Sequence, residues 1–134
     1  MLEDICSDQA IEIILEENGA PEETAGEQIA RQRNIPWVDI NTSTADKERL
    51  GIPAEYLTGP YTADQRSDWN RQRELFILGK IAEHRRRRGM LLIICGFEHL
   101  QTLTELLNQD GSVVQPWDYR RLGWYRDGIF AGDP

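Results

Sequence analysis

Four side chains carry the chemistry this sequence offers: the adjacent carboxylates Glu16 and Glu17, the guanidinium of Arg73 and the imidazole of His99. Gathered in one place, these groups supply a base, an acid and an anion clamp. They are far apart in the chain, so only a fold that returns to one edge can gather them. Each also has a plainer reading. Glu16 and Glu17 suit solvated strand ends, Arg73 suits an ion pair with Glu74 or Glu16, and His99 suits a cap on backbone groups. With His84 and His99 as the two histidines, a multi-histidine zinc site is excluded. A carboxylate-rich magnesium or manganese site with one histidine is the most these ligands allow, so a divalent metal is the one cofactor considered. No GxGxxG follows a strand, and GxxxxGK[ST], GxSxG and HExxH are absent, which argues against dinucleotide binding and serine hydrolysis.

The elements that must position these groups follow from hydropathy patterning. Ile11 to Glu16 is a β-branched, mostly apolar run of strand length, preceded by a short opening helix over Leu2 to Gln9. Asn18-Gly19-Ala20-Pro21 makes a turn, Glu22 to Arg33 reads as a helix, and Pro36 to Ile40 is a second strand. The result is a βαβ unit of about thirty residues. Asn41 to Tyr61 is a long irregular connection with a helical turn or two at Thr44 to Leu50, and connections of that length are usually functional or mobile. A long helix from about Asp64 to Arg88 has Trp69, Leu75, Phe76, Ile77, Leu78, Ile81 and Ala82 as its apolar face. Met90 to Cys95, apolar throughout, reads as a central parallel strand covered on both faces, with Cys95 buried. Glu98 to Gln109 is an amphipathic helix, and Ser112 to Pro116 with Trp117 a fourth, shorter strand.

This alternation predicts a single α/β domain over residues 1–134, three-layered and Rossmann-like, with a mostly parallel sheet of about four strands. In such sheets ligands bind outside the carboxyl ends of the strands, near the point where strand order reverses. Those ends carry Glu16 and Glu17, then Asp39 and Asn41, then Gly96, Glu98 and His99, and finally Trp117 and Asp118. The long helix starts at the same edge and brings Asn70, Arg71 or Arg73 within reach.

Composition bounds the setting. The chain has 134 residues, 28% of them charged, and a formal net charge of -8. Nine acids and no base fall in residues 1–30, whereas Asp64 to Arg88 holds eight bases against four acids. The run His84 to Gly89 falls where a helix ends, where cations complement the helix dipole. It is short and lacks interleaved aromatics, so no nucleic-acid partner is expected. No apolar run approaches the roughly 20 residues that span a bilayer, and the acidic start is unlike a signal peptide, so the expected location is cytoplasmic. Cys6 and Cys95 are then reduced thiols.

The segment from Arg73-Glu74 through Leu91-Leu92-Ile93-Ile94-Cys95-Gly96-Phe97-Glu98-His99-Leu100 to Leu103, Leu106-Leu107 and Gly111 resembles the closing segment of TraB-type proteins. That group is related to Tiki proteases and, more distantly, to erythromycin-esterase-like hydrolases. The shared pattern is an arginine early in a helix, an apolar strand, a GxxH turn from Gly96 to His99 and a leucine-rich helix ending in glycine. A glutamate after an earlier strand is matched by Glu16 or Glu17. The resemblance implies a metal-dependent hydrolytic site, yet the family's earlier GxxH-like element has no counterpart here.

Two functions are therefore expected. One is a polar strand-end pocket built from Glu16 or Glu17, Arg73 and His99 that binds a small polar ligand or a metal, in a hydrolase relative. The other is a non-catalytic interaction module. For the latter, the acidic first third and the aromatic segment from about residue 118, with Trp117, Tyr119, Trp124, Tyr125 and Phe130, would form a partner or homodimer surface.

Overall fold

Three of the four expected strands are present. β1 (Ile11–Glu16), β2 (Trp37–Asp39) and β3 (Met90–Ile94) form an all-parallel sheet in the order β2-β1-β3. Helices α1 (Ala25–Gln32), α2 (Thr44–Leu50) and α3 (Ala63–His84) lie between them in sequence, and α4 (Phe97–Gln109) follows β3. The structure, a computed structural model, describes residues 10–19, 21–85 and 89–116, the side chain of Phe97 aside. The chain divides after Gly96 into two units, the sheet and α1 to α3 belonging to the first and α4 to the second. The opening helix with Cys6, Arg86 to Arg88, and the aromatic segment from Trp117 with Asp118 lie outside the described residues.

Two strand expectations are corrected. Residues 112–116 form no strand, and Val113 is fully exposed. Ser112, Gln115 and the donorless Pro116 leave this stretch without an apolar face or a full set of ladder donors. The central strand is β1, paired on both sides, while β3 pairs with β1 alone among the described residues. Ile13, Ile14 and Leu15 are fully buried, whereas Met90 is 45% exposed and Leu91 to Ile94 are half-buried. Cys95 is half-buried too, not buried. Continuous apolarity reports packing against neighbours and says little about a strand's place in the sheet.

β1 contains a break in register. Ile11 pairs with Met90 and Ile13 with Leu91, so Glu12 is the extra residue of a bulge. The bulge shifts the alternation by one. Ile11 and Ile14 thereby reach the same core cluster with Ile29 and Ala30 of α1, packed by Ile35, Trp37, Leu92 and Ile94. Opposite the bulge, the turn into β3 uses Gly89 at φ +126°, where a side chain would run into the Glu12 carboxylate.

The helices start where local chemistry dictates. Thr24 caps α1 by accepting from the Glu27 N–H, and Asn34, left-handed at φ 55°, follows its end. Capping boxes open α2, with Ser43 and Asp46, and α3, with Thr62 and Gln65. On α3 the buried residues are Glu74, Ile77 and Ile81, while Leu75 is 47% exposed and Ala82 is exposed. The buried stripe thus keeps Ile77 and Ile81 of the face that the sequence suggests, adds Glu74, and leaves Leu75 and Ala82 outside it.

The α2 box carries a pH dependence. Hydrogen bonds from Ser43, followed by those and the charge of Arg49, hold the Asp46 carboxyl below the usual carboxylate range. A lowered folded-state pKa adds stability above the unfolded value and loses it as pH falls through the folded value. The Ser43 N–H should therefore keep its bond to the Asp46 carboxylate through the usual carboxylate range and lose it only in stronger acid. Amide-proton exchange at Ser43, whose N–H donates to the Asp46 carboxylate, reads this directly across acid pH, and loss of its protection above the usual carboxylate range would contradict it.

Candidate functional site

The carboxyl end of β1 is held from both faces of the sheet. Consecutive strand residues point to opposite sides, and the two glutamates find different partners. Glu16, 7% exposed, turns toward α1. Its Oε1 accepts from the Thr24 hydroxyl at 2.5 Å and from the Trp37 indole N–H at 3.0 Å. One carboxylate oxygen so ties the α1 cap to β2. Gly26 makes room for it, since a Cβ there would lie 2.5 Å from Glu16 Oε1 and 2.9 Å from Ile94 Cδ1.

Glu17 faces the other way. Its Oε2 takes the Arg73 guanidinium at 3.2 Å, with both side chains only 11% exposed, and its Oε1 accepts from the Gly96 N–H at 3.2 Å. Arg73 also donates to the Tyr56 hydroxyl at 2.6 Å, which in turn donates to Asn70 Oδ1 at 3.1 Å. Tyr56 is 1% exposed, its ring 5.8 Å from the guanidinium carbon and edge-on to Trp69. This network anchors the long connection after β2 onto α3. In the order β2-β1-β3 the strand order reverses at β1, and Glu17 links the ends of β1 and β3 there.

Of the sequence-derived site residues, Glu17 and Arg73 are brought together and Glu16 lies apart from them across the strand. Asn70 joins the network, whereas Arg71 is exposed. His99 belongs to the second unit, buried in the first turn of α4 with Nε2 3.8 Å from Glu98 Oε1. Both oxygens of Glu17 are engaged by donors, which holds its carboxylate in place. Among the described residues no group of three or more His, Cys, Asp and Glu side chains could hold a metal.

Beside this clamp lies an open crevice of about 600 Å³, lined by Asn18, Gly19, Pro21, Asn41, Thr42, Ser43, Thr44 and Lys47. It occupies the loops after β1 and β2. Asp39 joins the two loops, its Oδ1 accepting from the Asn18 N–H at 3.2 Å and from the Asn41 N–H at 2.8 Å. Sequence reading placed Asp39 and Asn41 at this edge but missed Lys47 and Tyr56. The only hint of either was the unusual length of the connection that carries both.

A protein assembled this way belongs, by its fold, to the α/β class with a small all-parallel sheet. No protein-family model, curated protein or solved structure matches the chain. No helix among the described residues is long and apolar enough to cross a membrane.

Proposed function

We propose that this chain is a Rossmann-like binding domain for a small polar molecule, seated in the crevice outside the carboxyl ends of β1 and β2. Glu16, Glu17 and Arg73 act as positioning residues that hold the crevice rim, and they do not touch the ligand. The observation that carries this reading is the crevice itself, polar-lined and in the size range of small-molecule sites. The clamp supports it, because Glu16 and Glu17 fix the strand end from which Asn18 and Gly19 leave, and Asp39 holds the Asn18 N–H.

The arrangement favours a polar molecule over a metal, since none of the described residues that line the crevice is a carboxylate. It favours binding over hydrolysis, since Glu17 is neutralised by Arg73 and engaged by Gly96. Any kinship with TraB-type proteins then extends to the strand, turn and helix around Gly96 and not to their chemistry. Cytoplasmic residence belongs to the same reading, with Cys95 a reduced thiol.

Gly19 offers the test. Among the described residues a Cβ there meets Asn41 Nδ2 alone, at an ordinary 3.8 Å, so a side chain can start from this lining position without a clash. A thermal-shift screen of small polar metabolites and divalent ions should yield a stabiliser of the native protein. A ligand at one hundred times its Kd adds about 2.7 kcal/mol. Gly19→Leu should keep the ligand-free melting temperature and lose that shift. A stabiliser whose effect survives Gly19→Leu places the site elsewhere.

A further inference from the structure

One residue of the crevice wall holds a polar atom that its own fold leaves unmet. Thr42 lines the crevice and is 1% exposed, and its hydroxyl oxygen, shielded from solvent, makes no hydrogen bond among the described residues. Buried hydroxyls are bonded as a rule, and an unmet one destabilises the fold that holds it. The backbone on either side is fixed by other bonds. Asp39 accepts from the Asn41 N–H before Thr42, and Ser43 after it is committed to Asp46 through the capping box of α2. Asn41 is half-buried in the same wall, and its side-chain amide makes no hydrogen bond among the described residues either. Two adjacent residues of one loop therefore keep unused hydrogen-bonding groups in the wall of one crevice.

Resting on the crevice as the binding site, we infer that its ligand is an uncharged polyhydroxy molecule of the sugar or polyol class, and that Thr42 selects it by pairing with one of its hydroxyls. A threonine hydroxyl and an asparagine amide each give and accept hydrogen bonds, which matches an alcohol group in either sense. The part of the ligand that reaches Thr42 is uncharged, because an ion brought to that shielded place would exchange its water for a single dipole. Reaching the hydroxyl takes a side-chain movement in the crevice wall, while the backbone stays where Asp39 and Asp46 hold it. Thr42 has no water to shed at that moment, so the bond it forms is not offset by the loss of another. The volume of about 600 Å³ suits a molecule of this size.

The test is calorimetric titration of the full chain with ribose, glucose and inositol, with Thr42→Val, Thr42→Ser and Gly19→Leu run alongside. Valine replaces the hydroxyl by a methyl group of the same shape, and serine keeps it. At least one of the three should bind, weaken about ten-fold in Thr42→Val, the size of one hydrogen bond, bind nearly as well in Thr42→Ser, and be lost in Gly19→Leu. Without ligand, Thr42→Val should melt at or above the temperature of the native protein, because it removes an unmet polar group. A lower melting temperature for ligand-free Thr42→Val would show that the hydroxyl is already satisfied and would overturn the inference. Binding unchanged in Thr42→Val but lost in Gly19→Leu would overturn the role of Thr42 and leave the crevice standing. Binding that survives Gly19→Leu would overturn the crevice as the site. Failure of all three to bind at millimolar concentration would overturn the polyhydroxy assignment, and a stabiliser from the metabolite screen that Gly19→Leu abolishes would then leave the crevice alone standing.

Discussion

Arg73→Met should destabilise the protein by about 3 kcal/mol or more, the range for removing one partner of a buried ion pair. Methionine keeps an apolar chain as far as the position of the arginine Nε, so the loss falls mainly on the guanidinium and its bonds. It leaves the Glu17 carboxylate with the Gly96 N–H as its remaining donor from this network, and it deprives the Tyr56 hydroxyl of its donor. A double-mutant cycle separates these contributions. Glu17→Gln in the Arg73→Met background removes the stranded charge, so the double variant should be more stable than Arg73→Met alone. Chemical denaturation of the four proteins gives the coupling, and strict additivity would show that the pair does not act as a unit.

Gly26→Ala should cost about 2 kcal/mol, contrary to the usual gain from replacing a helical glycine. Alanine is favoured over glycine inside a helix by about 1 kcal/mol. Here the added methyl group meets Glu16 Oε1 at 2.5 Å and Ile94 Cδ1 at 2.9 Å, and Gly26 is itself buried. Overpacking of this kind costs roughly 1–3 kcal/mol. Displacing the carboxylate also disturbs its bonds to Thr24 and Trp37, and hydrogen bonds to a charged group are worth about 1.5–3 kcal/mol each. These losses outweigh the helical gain. Glu16→Ser in the Gly26→Ala background relieves the clash, so the second change should cost less there than in the native protein. A melting temperature at or above that of the native protein in Gly26→Ala would mean the carboxylate can step aside freely.

The sequence discloses the elements better than their places. β1, α2 and β3 are legible because apolar runs and capping residues are local signals, and the α2 range, Thr44 to Leu50, coincides with its reading. The order β2-β1-β3 is not local. An apolar run such as Met90 to Cys95 does not reveal whether it sits inside the sheet or at its edge. Glu16 and Glu17 are identifiable as a strand end, and their adjacency already requires them to face apart. Which of them meets Arg73 cannot be counted from Ile11, since the extra residue at Glu12 breaks the alternation between Ile11 and the regular register of Ile13 to Glu16. Tyr56 and Lys47 escape sequence reading for a different reason. They lie in a stretch without hydrophobic period, and their roles come from where the chain returns.

The most direct test of the account is a map of ligand-induced shifts on backbone amides. Titrating the uniformly nitrogen-labelled protein with the strongest stabiliser from the metabolite screen should move the resonances of Asn18, Gly19 and Asn41 to Thr44. The amides of exposed α3 residues such as Arg71 and Leu75 should stay in place. Shifts confined to residues outside the β1 and β2 carboxyl-end loops would contradict it.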